Sequence, residues 1–248
     1  MLINQFLRGI KFNRNDVPTF KKYPFNLPIL KTLDELSFHP NVTFLVGENG
    51  MGKSTLLEAI AIALGFNPEG GSLNFQFSTY DSHSALENYL QVIKGIEKPK
   101  DGFFLRAESF YNVASNIEEL DREDFGPPII NSFGGVSLHE QSHGEAFFST
   151  FIHRFFGNGI YILDEPEAAL SPLRQMSMLT RIHELVKEKS QFIIATHSPI
   201  IMAYPNAKIL EFTEAGIKES KLEETNHYRI MKQFFDDKNR MIHHLLND

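Results

Sequence analysis

The sequence predicts an α/β fold with a mainly parallel central sheet, formed as one domain over residues 1–248. Three observations carry that expectation. The runs 42–46, 159–163 and 191–196 are continuously apolar, as strands covered on both faces are. Helical stretches follow the first and second of them, near 53–62 and 172–189. A chain of 248 residues is also long enough to bury a sizeable core.

The first strand leads directly into Gly47-Glu48-Asn49-Gly50-Met51-Gly52-Lys53-Ser54-Thr55. Glycine, four residues, then Gly-Lys-Ser is the pattern of a loop that cradles nucleotide phosphates. Gly47, Gly50 and Gly52 let successive backbone N–H groups turn inward toward one anion. The helix that starts near Lys53 adds unpaired N–H groups and the positive end of its dipole. Lys53 is expected to reach the β- and γ-phosphates, and the Ser54 hydroxyl to ligate Mg²⁺.

Composition narrows the class. Hydrophobic residues make up 42% and charged residues 22%, as in an ordinary soluble globular protein. No uninterrupted apolar run reaches the roughly 18 residues of a membrane-spanning helix. Met1 to Arg14 lacks the layout of a signal peptide. The chain has no cysteine, which excludes disulfides and thiolate metal sites and fits a cytoplasmic location. A net charge of −7 argues against a globally basic nucleic-acid binder.

In chain order, short strands are expected around Ile3–Ile10 and Leu33–Phe38, forming an antiparallel N-terminal pair. Pro18, Pro24 and Pro28 mark an irregular loop between them. Its Phe12, Tyr23 and Phe25 are candidates to stack on a nucleotide base, with ordinary packing the simpler reading of each. After the loop helix, Asn67-Pro68-Glu69-Gly70-Gly71 is a turn, and Leu73–Thr79 alternates like a strand. Ser84–Lys94 reads as a helix, Phe103–Glu108 as a buried strand and Asn112–Glu123 as a half-solvated helix. Together these suggest a modest helical insertion over about 80–145. Lys208–Thr213 and Ile217–Lys221 read as a strand pair. The tail, about 223–247, reads as helical, with a stripe of Tyr228, Met231, Phe234, Phe235, Met241, Ile242 and Leu245 expected to pack on the body.

Three further segments carry chemistry. Ser142 precedes Gly144-Glu145 and an amphipathic apolar run, as a serine at a helix N-terminus does, and such a site can bind phosphate. The same stretch matches His-Glu-x-x-His through His139 and His143, a zinc-hydrolase pattern. That pattern needs both histidines on one helix face, whereas Ser142 and Gly144 place the helix start inside it. Two exposed polar histidines are the simpler reading. The second strand ends in Asp164-Glu165. At the carboxyl edge of a parallel sheet, Asp164 is placed to hold Mg²⁺, and Glu165 to face the water that attacks the γ-phosphate. The third strand ends at His197, a candidate sensor of that phosphate.

Together these motifs, in this order and spacing, resemble the ATP-binding-cassette ATPases over roughly residues 1–222. Within that group the sequence is similar to small stand-alone bacterial ATPases nearer the SMC and RecF-like DNA-associated branch than the transporter subunits. The resemblance implies ATP and Mg²⁺ as ligands and ATP hydrolysis as activity. It implies Walker A at Gly47, Asn49, Gly50, Gly52, Lys53, Ser54 and Thr55, and Walker B at Asp164 and Glu165. It further implies a signature at Ser142, Gly144 and Glu145, a D-loop at 169–171 and a switch histidine at His197. Glu108 takes the position of the Q-loop glutamine that reaches the metal, with Gln76 the weaker candidate. The sequence departs from the family pattern at His143, Glu108 and Ser171. The family also implies a head-to-tail homodimer closed around two ATPs. Nucleic acid or a partner effector protein are the candidate partners of a DNA-maintenance or defence ATPase. A membrane permease is the partner if the chain is instead a transporter's nucleotide-binding subunit, and a zinc hydrolase using His139 and His143 is the third alternative.

Overall fold

The computed structural model describes residues 5–73, 84–123 and 127–247. Its strands are β1 (Leu7–Phe12), β2 (Glu35–Ser37), β3 (Val42–Gly47), β4 (Gly71–Ser72), β5 (Leu90–Lys94), β6 (Asp101–Arg106), β7 (Gly159–Asp164), β8 (Gln191–Ala195), β9 (Lys208–Thr213) and β10 (Gly216–Ser220). Its helices are α1 (Lys53–Leu64), α2 (Phe110–Glu123), α3 (His143–His153), α4 (Pro172–Lys187), α5 (Pro199–Met202), α6 (Asn226–Asp236) and α7 (Lys238–Leu246).

Seven strands form the central sheet in the order β10-β9-β3-β8-β7-β6-β4. The five inner strands run parallel, and β10 and β4 pair antiparallel at the edges. Alternate residues of each inner strand feed two cores. Phe44, Leu105, Leu163 and Ile194 face the core shared with α2, α3 and α4. Leu45, Phe104, Ile162 and Ile193 face the core shared with α1 and the N-terminal segment. Burial on both faces is why these strands read as continuous apolar runs.

The N-terminal strands are antiparallel, in a separate three-stranded sheet β2-β1-β5. Buried Gln191 ties that sheet to the central one. Its Oε1 accepts from the N–H groups of Phe6 and Leu7, and its Nε2 donates to the carbonyls of Leu7 and His39.

The insertion is smaller than the sequence suggests. Residues 84–94 are not one helix: a 3-10 turn at Ala85–Tyr89 leads into β5, which pairs with β1. Leu86 and Leu90 pack into the α1-side core, and that packing, not local propensity, sets the conformation. With β6 inside the central sheet, the helical segment begins only at α2. Of the expected strand 73–79 only Leu73 is described, just beyond β4; Gln76 lies outside the described residues.

The tail corrects a second expectation. α6 and α7 are helices, but neither contains a buried residue, and Phe235 and Leu245 are each 70% exposed. Asp237 ends α6 and caps α7, accepting from the Arg240 N–H, so the apolar stripe is split between two short helices. No helix among the described residues is long and apolar enough to cross a membrane.

Candidate functional site

Parallel register gathers the site at one edge of the sheet. Arg106 pairs with Asp164, Asp164 with Ala195 and Ala195 with Leu45, so β6, β7, β8 and β3 end together. The carboxyl edge of a parallel sheet is where ligands bind in such folds.

The loop after β3 is built as its glycines require. Gly47 has φ of +140°, and a Cβ there would lie 2.5 Å from the Phe212 carbonyl oxygen. Gly52 caps α1 in the left-handed region, with φ of +93°. The first N–H groups of α1 therefore face the loop without helical partners. Asn49 and Gly50 are exposed at the loop's tip. Lys53 is 4% exposed, and its ammonium donates to the carbonyls of Gly47 (2.7 Å) and Glu48 (3.1 Å). Burial pushes its pKa down, opposed by the carboxylates of Glu165 and Asp164.

Ser54 donates its hydroxyl to Asp164 Oδ1 at 2.9 Å. Asp164 is almost wholly buried, and burial lifts its pKa to about 6 against the pull of Arg106 and the Ser54 hydrogen bond. Arg106 Nε lies 3.6 Å from Asp164 Oδ2, and its Nη1 pairs with Glu58 Oε2 at 2.6 Å. Ser54 and Asp164 thus present two adjacent oxygens, a hydroxyl and a carboxylate, a donor set that suits a hard divalent cation. Glu108 does not join them. Its side chain is 90% exposed, and its nearest charged partner is Arg106 at 3.9 Å.

Glu165 is the first residue beyond β7, in the left-handed region with φ of +49°. Its N–H donates to the Ala195 carbonyl at 3.0 Å, so the backbone is fixed while the carboxylate stays 41% exposed. Its Oε1 lies 3.4 Å from His197 Nε2. Burial pushes the His197 pKa down, as does the Lys53 charge, so the imidazole is neutral near pH 7. The His197 N–H donates to the half-buried Glu167 carboxylate. On the ring's far side, His197 Nδ1 lies 2.9 Å from His227 Nε2 in the first turn of α6.

Ser142, Gly144 and Glu145 sit apart from this cluster. Ser142 caps α3, and its N–H and hydroxyl both donate to Glu145 Oε2, at 3.1 and 2.5 Å. Those bonds hold the Glu145 carboxyl below its usual range. Gly144 packs against the Ala169 carbonyl so closely that a Cβ would collide with it, and Arg174 Nη1 donates to the Gly144 carbonyl at 2.9 Å. Among the described residues, no hydrogen bond or ion pair joins residues 142–145 to the loop, Asp164 or Glu165. His139 precedes α3 and lies beside Ser115 and Tyr111.

Of the three candidate stacking rings, Phe12 and Phe25 are core residues. Tyr23 is 63% exposed, and its hydroxyl lies 3.2 Å from Thr55 Oγ1, beside the loop helix. Arg106, Glu58, Glu167 and His227 were not singled out by the sequence. Arg106 carries a local signal, a charge at the end of an apolar strand; His227 carries none, because only the tertiary fold brings α6 to this edge.

Residues 20–125 match the family model of an AAA domain, and residues 81–202 that of an AAA ATPase domain. The cobalt import ATP-binding protein CbiO of Salmonella typhimurium is 29% identical over 69% of this chain and 67% of its own length. The xylose/arabinose import ATP-binding protein XylG of Sulfolobus acidocaldarius is 29% identical over 79% of this chain and 85% of its own. The chain spans only 37% of the ribose import ATP-binding protein RbsA of Bacillus cereus, at 24% identity. Among solved structures, cbiO1 from Clostridium perfringens, part of the ABC transporter complex cbiONQ, superposes with a TM-score of 0.50 at 16% identity, covering 98% of this chain and 100% of that one. The fold is that of a P-loop domain of the ABC type, and over residues 20–202 the sequence is similar to AAA and ATPase domains.

Proposed function

We propose that the protein binds MgATP at this edge, hydrolyses it and uses the cycle to close and open a head-to-tail homodimer. One observation carries the reading: Lys53, Ser54, Asp164, Glu165 and His197, scattered over 145 residues of sequence, converge on one sheet edge with the loop's free N–H groups. In this reading Lys53 leaves the Gly47 and Glu48 carbonyls for the phosphates. Ser54 and Asp164 would hold Mg²⁺, which would supply positive charge against the phosphate oxygens. Glu165 accepts a proton from the attacking water, and His197 Nε2 faces the terminal phosphate. Tyr23 is the ring placed to meet the base. Ser142, Gly144 and Glu145, away from their own chain's site, are free to meet the partner's nucleotide across the dimer.

The cellular setting we favour is a stand-alone ATPase of DNA-maintenance or defence type, acting with nucleic acid or an effector protein in the cytoplasm. A second reading has support in the relatives whose names describe import ATP-binding proteins: a nucleotide-binding subunit coupled to a membrane permease. Glu165→Gln tests the mechanism. Turnover falls about 10²–10⁴-fold, as for loss of a general base, while ATP binding persists. Light scattering with ATP and Mg²⁺ then finds an accumulated dimer. Normal hydrolysis by this variant refutes the role of Glu165, and a monomer holding ATP refutes the dimer. Proteins captured with the trapped variant distinguish the two settings.

A further inference from the structure

The catalytic-edge histidine is held by a residue beyond the part of the chain that the family models match. His227 and His197 meet with ring centroids 4.9 Å apart and planes at 64°, and the Nε2–Nδ1 distance is 2.9 Å. Such a bond needs one N–H and one bare nitrogen. The surroundings decide which is which. His197 Nε2 faces the Glu165 carboxylate at 3.4 Å, and a carboxylate favours a proton on the nitrogen turned toward it. His197 Nδ1 is then bare, and His227 Nε2–H is the donor. The reverse arrangement would aim a lone pair at Glu165. Burial pushes the pKa of both imidazoles down, so both are neutral and the bond can form. Lys53, Glu48 and Glu211 are the other charged groups felt at His227.

The first turn of α6 is anchored well enough to aim the ring. Thr225, fully buried, caps the helix by accepting from the Tyr228 N–H. The Asn226 N–H donates to Glu211 Oε1 at 3.3 Å, and Glu211 is itself buried on β9 and bonded to Ser220 and Lys218. Beyond that turn most residues of α6 and α7 are exposed and none is buried.

We propose that His227 is a positioning residue for His197: its donated proton fixes the Nε2–H tautomer of His197, presented to Glu165 and the terminal phosphate, so that α6 completes the site. The inference deepens the ATPase reading and rests on it for its kinetic consequence only.

Long-range ¹H–¹⁵N correlation spectra of the nucleotide-free full chain, labelled at histidine, read the tautomer directly. His197 is expected as Nε2–H in the wild type and in His227→Gln, whose amide can still donate, and as a tautomer mixture in His227→Phe and His227→Ala. In steady-state assays His227→Phe lowers kcat about 5–10-fold, the worth of one hydrogen bond, with KM for ATP within twofold. His227→Gln restores most of that loss. In a His197→Ala background, His227→Phe has no further effect. An Nδ1–H tautomer in the wild type, an unchanged tautomer in His227→Phe, or additive losses in the double variant overturns the proposal. A wild-type protein that hydrolyses no ATP refutes the ATPase reading instead, and the spectra still decide the tautomer.

Discussion

Arg106→Met should unfold the protein many degrees early, although Arg106 belongs to none of the motifs that mark the site. The guanidinium is 16% exposed and sits between two nearly buried carboxylates, Glu58 at 2.6 Å and Asp164 at 3.6 Å, whose side chains are 12% and 8% exposed. It also donates to the Pro68 carbonyl at 3.1 Å. Methionine keeps much of the apolar stem but strands both negative charges. Removing one partner of a buried ion pair costs about 3–5 kcal/mol. Glu108 contributes little to this cost, because at 90% exposure its charge is solvated already. At roughly 2–4 °C per kcal/mol for a chain of this size, the melting temperature falls by roughly 6–20 °C. Calorimetry of the nucleotide-free protein at pH 7.5 measures it. The sign of the pH effect is fixed too. Without Arg106 the Asp164 carboxyl rises further above its unfolded value, so its cost is absent when the group is protonated and grows as pH rises. The deficit should therefore shrink near pH 5. Adding Glu58→Gln should recover part of the loss by removing one stranded charge. A melting temperature within 2 °C of wild type would refute the claim that Arg106 neutralises this edge.

Two further outcomes follow from the same charges. Lys53→Ala should abolish ATP binding by calorimetric titration while shifting the melting temperature only slightly, because burial already disfavours the ammonium; binding at wild-type affinity would refute the phosphate-loop assignment. Asp164→Asn should gain on the wild type by about 2 kcal/mol between pH 4 and pH 7, since burial lifts the folded carboxyl to about 6 from an ordinary 3.8. Urea midpoints at the two pH values test this, and a constant gap would show that Asp164 is not held protonated by burial.

The sequence announces the ends of the inner strands but not what lies between the site's halves. β3, β7 and β8 are legible because both their faces are buried and their carboxyl ends must turn abruptly at Gly47, Glu165 and His197. The cap of α3 is legible for a local reason, the Ser142 N–H and hydroxyl both donating to the Glu145 carboxylate three residues on. By contrast, β5 follows from pairing with β1, some eighty residues earlier, and nothing in residues 84–94 records that partner. The tail misleads in the opposite direction. Its apolar residues satisfy a helical stripe, but Asp237 breaks the helix and leaves the stripe uncovered. Glu108 has the position of a site residue at a strand end, but the chain's turn after β6 points it to solvent and leaves Arg106 facing Asp164.

That arrangement bears on how the site waits for its ligand. Three of the groups assigned to the phosphates or to Mg²⁺, Lys53, Ser54 and Asp164, are already satisfied by neighbours. Lys53 is bonded to the carbonyls of its own loop, and Ser54 to Asp164. Asp164 faces Arg106, which is shared with Glu58. A buried ammonium or carboxylate without such a partner would cost several kcal/mol, so these substitute bonds let the loop keep its shape. They also make binding an exchange: phosphate must displace two carbonyls from Lys53, and a cation must displace the Ser54 proton donor from Asp164. Affinity then reflects the difference between two bonded states rather than the full strength of either. Glu165 differs: its backbone N–H is bonded to the Ala195 carbonyl, while its carboxylate stays 41% exposed with His197 Nε2 at 3.4 Å. In the proposed hydrolysis the group that accepts a proton is thus left accessible, facing the imidazole whose far side meets His227.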